Sequence, residues 1–159
     1  MRNLLSGLVL LAWLQPAFAQ DQYHVRFDDS LETVAVRACF DGPVPSRLYH
    51  HTQAGHFTDG INTSNTLLRI RSGNNSVKLP GLRSNSCLSW NVDLKQATRP
   101  EEMRLAMRVG GDLVMDTDLW FWRGSMQRDI LVRVELPAGF SFSTPWAELG
   151  IHDGLREYF

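Results

Sequence analysis

Four groups of side chains in this sequence are of types that can do chemistry. Cys39 and Cys87 are the only two cysteines, and two thiols serve either redox exchange or a disulfide. A redox pair usually stands as C-x-x-C, and that spacing is absent. Tyr49, His50 and His51 are followed by His56 and Asp59. Imidazoles bind zinc, copper or nickel, and a loop could fold His50, His51 and His56 around one ion. Neither H-x-x-x-H nor H-x-H occurs, however, and adjacent histidines point to opposite sides of a strand. The simpler reading is a polar loop between Pro45 and Asn62 without a specific metal. Asp112, Asp116 and Asp118 suggest calcium or a carboxylate pair, but their spacing is not that of an EF-hand loop, and roles in turns are expected.

The fourth group is aromatic. In Asp118-Leu119-Trp120-Phe121-Trp122-Arg123-Gly124, a strand would place Trp120 and Trp122 on one face and Leu119, Phe121 and Arg123 on the other. Water cannot cover both, so either two layers bury the segment or one aromatic side is a contact surface. Trp120 and Trp122, with Trp146 after Pro145, are therefore candidates for a ligand platform or a domain contact, and core packing is the expected use. No nucleophile elbow G-x-S-x-G, phosphate loop, G-x-G-x-x-G or H-E-x-x-H is present, so no catalytic residue and no cofactor is assigned.

The elements that position these groups read mainly as strands. They are expected at 22–27, 33–40, 66–71, 76–79, 87–94, 113–116, 119–122, 130–136 and 140–143. Val34, Val36, Ala38 and Phe40 share one face in the second of these, and Leu88, Trp90, Val92 and Leu94 share one in the fifth. That leaves Cys39 and Cys87 on the opposite faces, as a cross-strand disulfide requires. Closing the loop between them adds about 4 kcal/mol by the chain-entropy relation. One short helix is expected over 98–107, where an N-cap, an early Pro and first-turn acids precede Gly110-Gly111. Many strands and at most one helix imply an all-β, antiparallel β-sandwich of Greek-key or similar topology.

Residues 1–19 combine a basic start, the apolar run Leu4 to Leu14 and the tripeptide Ala17-Phe18-Ala19, which reads as a cleaved signal peptide. The expected mature chain is a single domain over 20–159, periplasmic or secreted, without a membrane span, in a compartment that favours the disulfide. A formal charge of -1, from 16 basic and 17 acidic residues, argues against a nucleic-acid partner.

Several stretches together look familiar. They are Ala38-Cys39-Phe40-Asp41-Gly42, the segment from Cys87 to Leu94, Asp118 to Arg123, Asp129 to Gly139, and Pro145-Trp146. Over most of residues 32–146 the chain resembles the N-terminal β-domain of exported bacterial proteins related to the glycyl aminopeptidase branch of the zinc metallopeptidases. In that family the β-domain precedes a helical catalytic domain with H-E-x-x-H, an element these 159 residues lack. The resemblance therefore implies a non-catalytic module, with a protein partner or a missing C-terminal domain. The alternative is a stand-alone periplasmic protein that binds a glycan or peptide through surface tryptophans.

Overall fold

Alternation in four segments builds the main sheet. In β1 (Gln20–Phe27) the side chains of Tyr23, Val25 and Phe27 are buried and those of Gln22 and Arg26 are exposed. In β2 (Thr33–Cys39) Val34, Val36 and Ala38 turn inward, and in β7 (Cys87–Asp93) Leu88, Trp90 and Val92 do so. Val132 and Val134 bury the same face of β11 (Asp129–Glu135). Period-2 burial of this kind lays one apolar face on a core and leaves the other to water. The computed structural model describes residues 20–63, 66–70, 74–102, 105–125 and 128–159, so the expected signal peptide lies outside the described residues.

The remaining strands are short: β3 (Arg47–Tyr49), β4 (Ile61–Asn62), β5 (Leu67–Leu68), β6 (Ser76–Lys78), β8 (Ala106–Val109), β9 (Asp112–Met115), β10 (Arg123–Gly124), β12 (Glu148–His152) and β13 (Leu155–Tyr158). They form an eight-stranded sheet in the order β12-β13-β11-β1-β2-β7-β4-β5, a three-stranded sheet β10-β3-β6, and the hairpin β8-β9. The architecture is all-β and sandwich-like, with open sheets. Cys39 lies directly opposite Cys87 across β2 and β7, and their sulfurs are bonded at 2.04 Å.

Four expectations need correction. The main sheet is not purely antiparallel, because β1 runs parallel to β11 from Gln20 opposite Asp129 to Arg26 opposite Glu135. No tight turn joins these two strands, so nothing local imposes the antiparallel sense. The only α-helix among the described residues is α1, Leu94–Ala97, whose start is capped by Asp93 accepting from the Gln96 amide at 2.8 Å. Further on, Pro100–Glu102 makes a 3-10 turn, and Ala106 and Met107 pair with Met115 and Val114 instead of continuing a helix. Burial of Ala106 in the core outweighs the local helix preference. Residues 140–143 are not a strand, while the β12–β13 hairpin turns at Asp153-Gly154, both at positive φ (52° and 80°). Asp-Gly is the pair such a turn favours. Finally, the tryptophan-rich run is not a strand: Thr117–Leu119 is a 3-10 turn and Trp120 to Trp122 follow it without ladder bonds.

That run nevertheless crosses the core. Trp120 and Trp122 are 1% and 0% exposed, and a buried segment outside a sheet needs other partners for its backbone. The main sheet supplies them. Tyr23 Oη donates to the Trp122 carbonyl, and Trp90 Nε1 donates to the Trp120 carbonyl at 3.2 Å. The rings of Trp90 and Trp122 stack at 5.3 Å. Burial, with Asp21 nearby, pushes the Tyr23 phenol well above its ordinary range and keeps it a neutral donor.

Replacing Tyr23 by Phe removes one hydroxyl and strands the buried Trp122 carbonyl, so Tyr23→Phe is expected to lower stability by about 1–3 kcal/mol. Urea titration checks this: the midpoint should fall at unchanged slope. Removing the disulfide in a Cys39→Ala/Cys87→Ala variant is expected to cost about 4 kcal/mol by loop closure, read in the same experiment.

Candidate functional site

At the end of β3 the chain enters the loop that carries the histidines. His50 is not a polar loop residue: it is 7% exposed, and its ring stacks on Trp122 at 4.4 Å with 27° between planes. Its Nδ1 lies 2.7 Å from the His51 carbonyl, which can only accept, so Nδ1 carries the proton and Nε2 holds the lone pair of the neutral ring. Neither His50 Nε2 nor Trp122 Nε1 has a hydrogen-bond partner among the described residues. Burial lowers the His50 pKa below its ordinary 6.5, the neighbouring His51 adds to this, and the bond to the His51 carbonyl partly opposes it.

The other two histidines serve the loop differently. His51 Nδ1 accepts from the Gln53 amide at 3.2 Å, and His56 sits on the 3-10 turn Ala54–Phe57 with its ring tilted against Phe57. Among the described residues no group of three or more His, Cys, Asp or Glu side chains is placed to hold a metal ion. The aspartates are structural in the same way, since Asp116 Oδ1 accepts from the Asp118 amide at 2.9 Å and starts the 3-10 turn.

The aromatic candidates separate by depth. Trp120 and Trp122 belong to the core, so neither presents a ring to solvent. Trp146 is half-buried and closes over the core from outside, 5.8 Å from Trp120 and 5.6 Å from Phe121.

Two adjoining clefts open where the histidine loop meets the segment 116–123. One, of about 470 Å3, is lined by His51, Thr52, Gln53, Leu105 and Asp116. The other, of about 380 Å3, is lined by Tyr49, His50, His51, Thr52, Asn75, Asp118, Phe121 and Arg123. The small sheet forms a wall of the second. Leu48 and Val77 point into the core, so Arg47, Tyr49, Ser76 and Lys78 point out. Arg123 is opposite Tyr49 on β10 and points out with it. Of these, only Tyr49 figures among the residues read as chemically suggestive from sequence. A strand of three residues, Arg47-Leu48-Tyr49, offers too little alternation to recognise.

No protein-family model matches this chain, and no curated protein matches it. Among solved structures it is similar to the crystal structure of an aminopeptidase N family protein from Idiomarina loihiensis, with a TM-score of 0.55 and 11% sequence identity over 75% of this chain. The matched region spans 22% of that protein's length. The likeness is one of fold.

The depressed His50 pKa fixes the sign of a pH effect. The neutral ring is the form the fold favours, so its contribution is fully present above 6.5 and is lost as pH falls through the lower folded value. In His50→Gln, which cannot titrate, the drop of melting temperature below about pH 6.5 is expected to be shallower than in the parent. Parallel profiles would show that His50 does not contribute it.

Proposed function

We propose that this chain is a non-catalytic, exported β-sandwich module of the kind that accompanies the catalytic part of a metallopeptidase-like protein, and that it supports or orients a partner domain or chain. On this reading residues 1–19 are removed on export and residues 20–159 form one domain in the periplasm or outside the cell. The observation that carries it is the fold likeness, in which three quarters of this chain corresponds to about a fifth of an aminopeptidase N family protein. A part of that size in a larger enzyme is an accessory unit as readily as a catalytic one, and the absence of H-E-x-x-H here favours the accessory role.

The surface supports the same reading. On the β8–β9 hairpin Met107 and Val114 face each other, with Val109 two residues along, and all three are exposed. Leu149 and Ile151 are 58% and 70% exposed on the edge strand β12. Apolar groups gathered in this way suit cover by a neighbouring domain.

Two measurements test the proposal. Mass spectrometry of the exported protein is expected to find a chain beginning at Gln20 with the Cys39–Cys87 bond intact. Aminopeptidase, endopeptidase and glycosidase panels with added zinc are expected to give no turnover above blank. Activity that survives repurification and disappears on one substitution within 20–159 would overturn the accessory role.

A further inference from the structure

The outer face of β10-β3-β6 gathers charge of one sign. Arg47 and Lys78 stand directly opposite each other on β3 and β6. Arg123 lies in the next row, beside Tyr49. Like charges placed opposite on adjacent strands repel. Four cations elsewhere among the described residues meet carboxylates: Arg128 with Asp21, Arg133 with Glu157, Lys95 with Glu32, and Arg156 with Glu148. None of these pairs reaches the small sheet. Arg47 instead donates to the Ser76 hydroxyl at 3.0 Å, and the Arg123 guanidinium lies 5.7 Å from the Phe121 ring. Such a cluster is relieved by an anion lying among its donors, and the planar arginine forks favour a carboxylate, sulfate or phosphate group.

The groups around the cations narrow the choice of anion. Tyr49 is 45% exposed at the centre of the face, a flat ring on which an apolar surface can lie. Thr52, Asn75 and Asp118 line the adjoining cleft of about 380 Å3. A carboxylate at that position repels a second anionic group but accepts well from hydroxyls. A ligand that uses every one of these groups has one acid group, several hydroxyls and a ring with a C–H face. A sugar acid has all three. A lipid headgroup would use the cations and leave Tyr49 without a purpose, and a nucleic acid, whose bases can stack on Tyr49, would set further phosphates against Asp118.

We propose that the Arg47, Tyr49, Lys78 and Arg123 face, with the cleft beside it, binds an acidic polysaccharide built of uronic-acid residues. The sugar carboxylate lies between the arginines, the ring packs on Tyr49, and hydroxyls reach Asn75 and Asp118. The site uses side chains of this chain alone, so it does not rest on the accessory-domain reading, and either can fail without the other.

The test is calorimetric titration of the full chain with an oligogalacturonate at low ionic strength. A neutral maltooligosaccharide, duplex DNA and phosphatidylglycerol vesicles serve as comparisons. Saturable binding of the uronate is expected, weakening with added salt and absent for the neutral sugar. Arg47→Gln and Arg123→Gln are each expected to weaken it at least about tenfold, the effect of losing one charge-assisted hydrogen bond. Tyr49→Ala should weaken it as well, whereas Arg26→Gln, on the other sheet, should not. All four side chains are exposed, so melting temperatures should stay at the parent value. No binding, equal binding of the neutral sugar, DNA or vesicles bound as tightly as the uronate, or arginine variants that bind like the parent would each overturn the proposal.

Discussion

The structure turns on a buried stretch of backbone that belongs to no sheet. Residues Trp120 to Trp122 run through the core, and their carbonyls would be stranded there if the main sheet did not supply donors. Tyr23 on β1 and Trp90 on β7 do this with side chains that also fill the core. The consequence reaches the surface in steps. Trp90 positions Trp122 by stacking, Trp122 in turn receives the His50 ring, and His50 directly follows the short strand β3. The outward residues Arg47 and Tyr49 therefore inherit their position from hydrogen bonds made on the opposite side of the core.

Both faces of the sandwich meet water, but their charges are arranged differently. Across the middle of the large sheet, Glu157, Arg133, His24 and Arg37 lie side by side in one row. Arg133 is held by Glu157 at 2.7 Å, and His24 lies 3.2 Å from Glu135 in the adjacent row. Two carboxylates, Glu157 and Glu135, thus lie among the basic groups of that face. The small sheet lacks such partners among the described residues. A formal charge near zero thus conceals a small sheet whose outward charges are all basic. This is why composition argues against a nucleic-acid partner without arguing against an anionic one of lower charge density.

The fold likeness and the basic face bear on different questions. The first concerns what kind of larger protein contains such a sandwich, and at 11% identity it speaks through backbone arrangement alone. The second concerns what the sandwich itself could hold. An accessory domain that binds an acidic glycan would anchor an attached activity near such a polymer, so the two readings are compatible.

The sequence alone determined features that depend on near neighbours in the chain. Alternation in 33–40 and 87–94 set both the buried faces and the outward position of Cys39 and Cys87, because successive strand residues point to opposite sides whatever the strand pairs with. The all-β class followed from the same periodicity. Only the tertiary structure decided which strands pair and in what sense, hence the parallel pairing of β1 with β11, two segments far apart in the chain. It also decided against the helix over 98–107, since pairing with β9 and burial of Ala106 outweigh local preference. The tryptophan-rich run read as a strand because two apolar alternating faces are what a covered strand shows; its carbonyls found side-chain donors that no local pattern could announce. The Asp153-Gly154 pair is a turn signal in the sequence, but the strands it joins alternate poorly, with β12 almost wholly exposed, so no local pattern marks the hairpin. The basic face was invisible for a further reason: its charges come from three segments far apart in sequence, and only a two-residue and two three-residue strands bring them together.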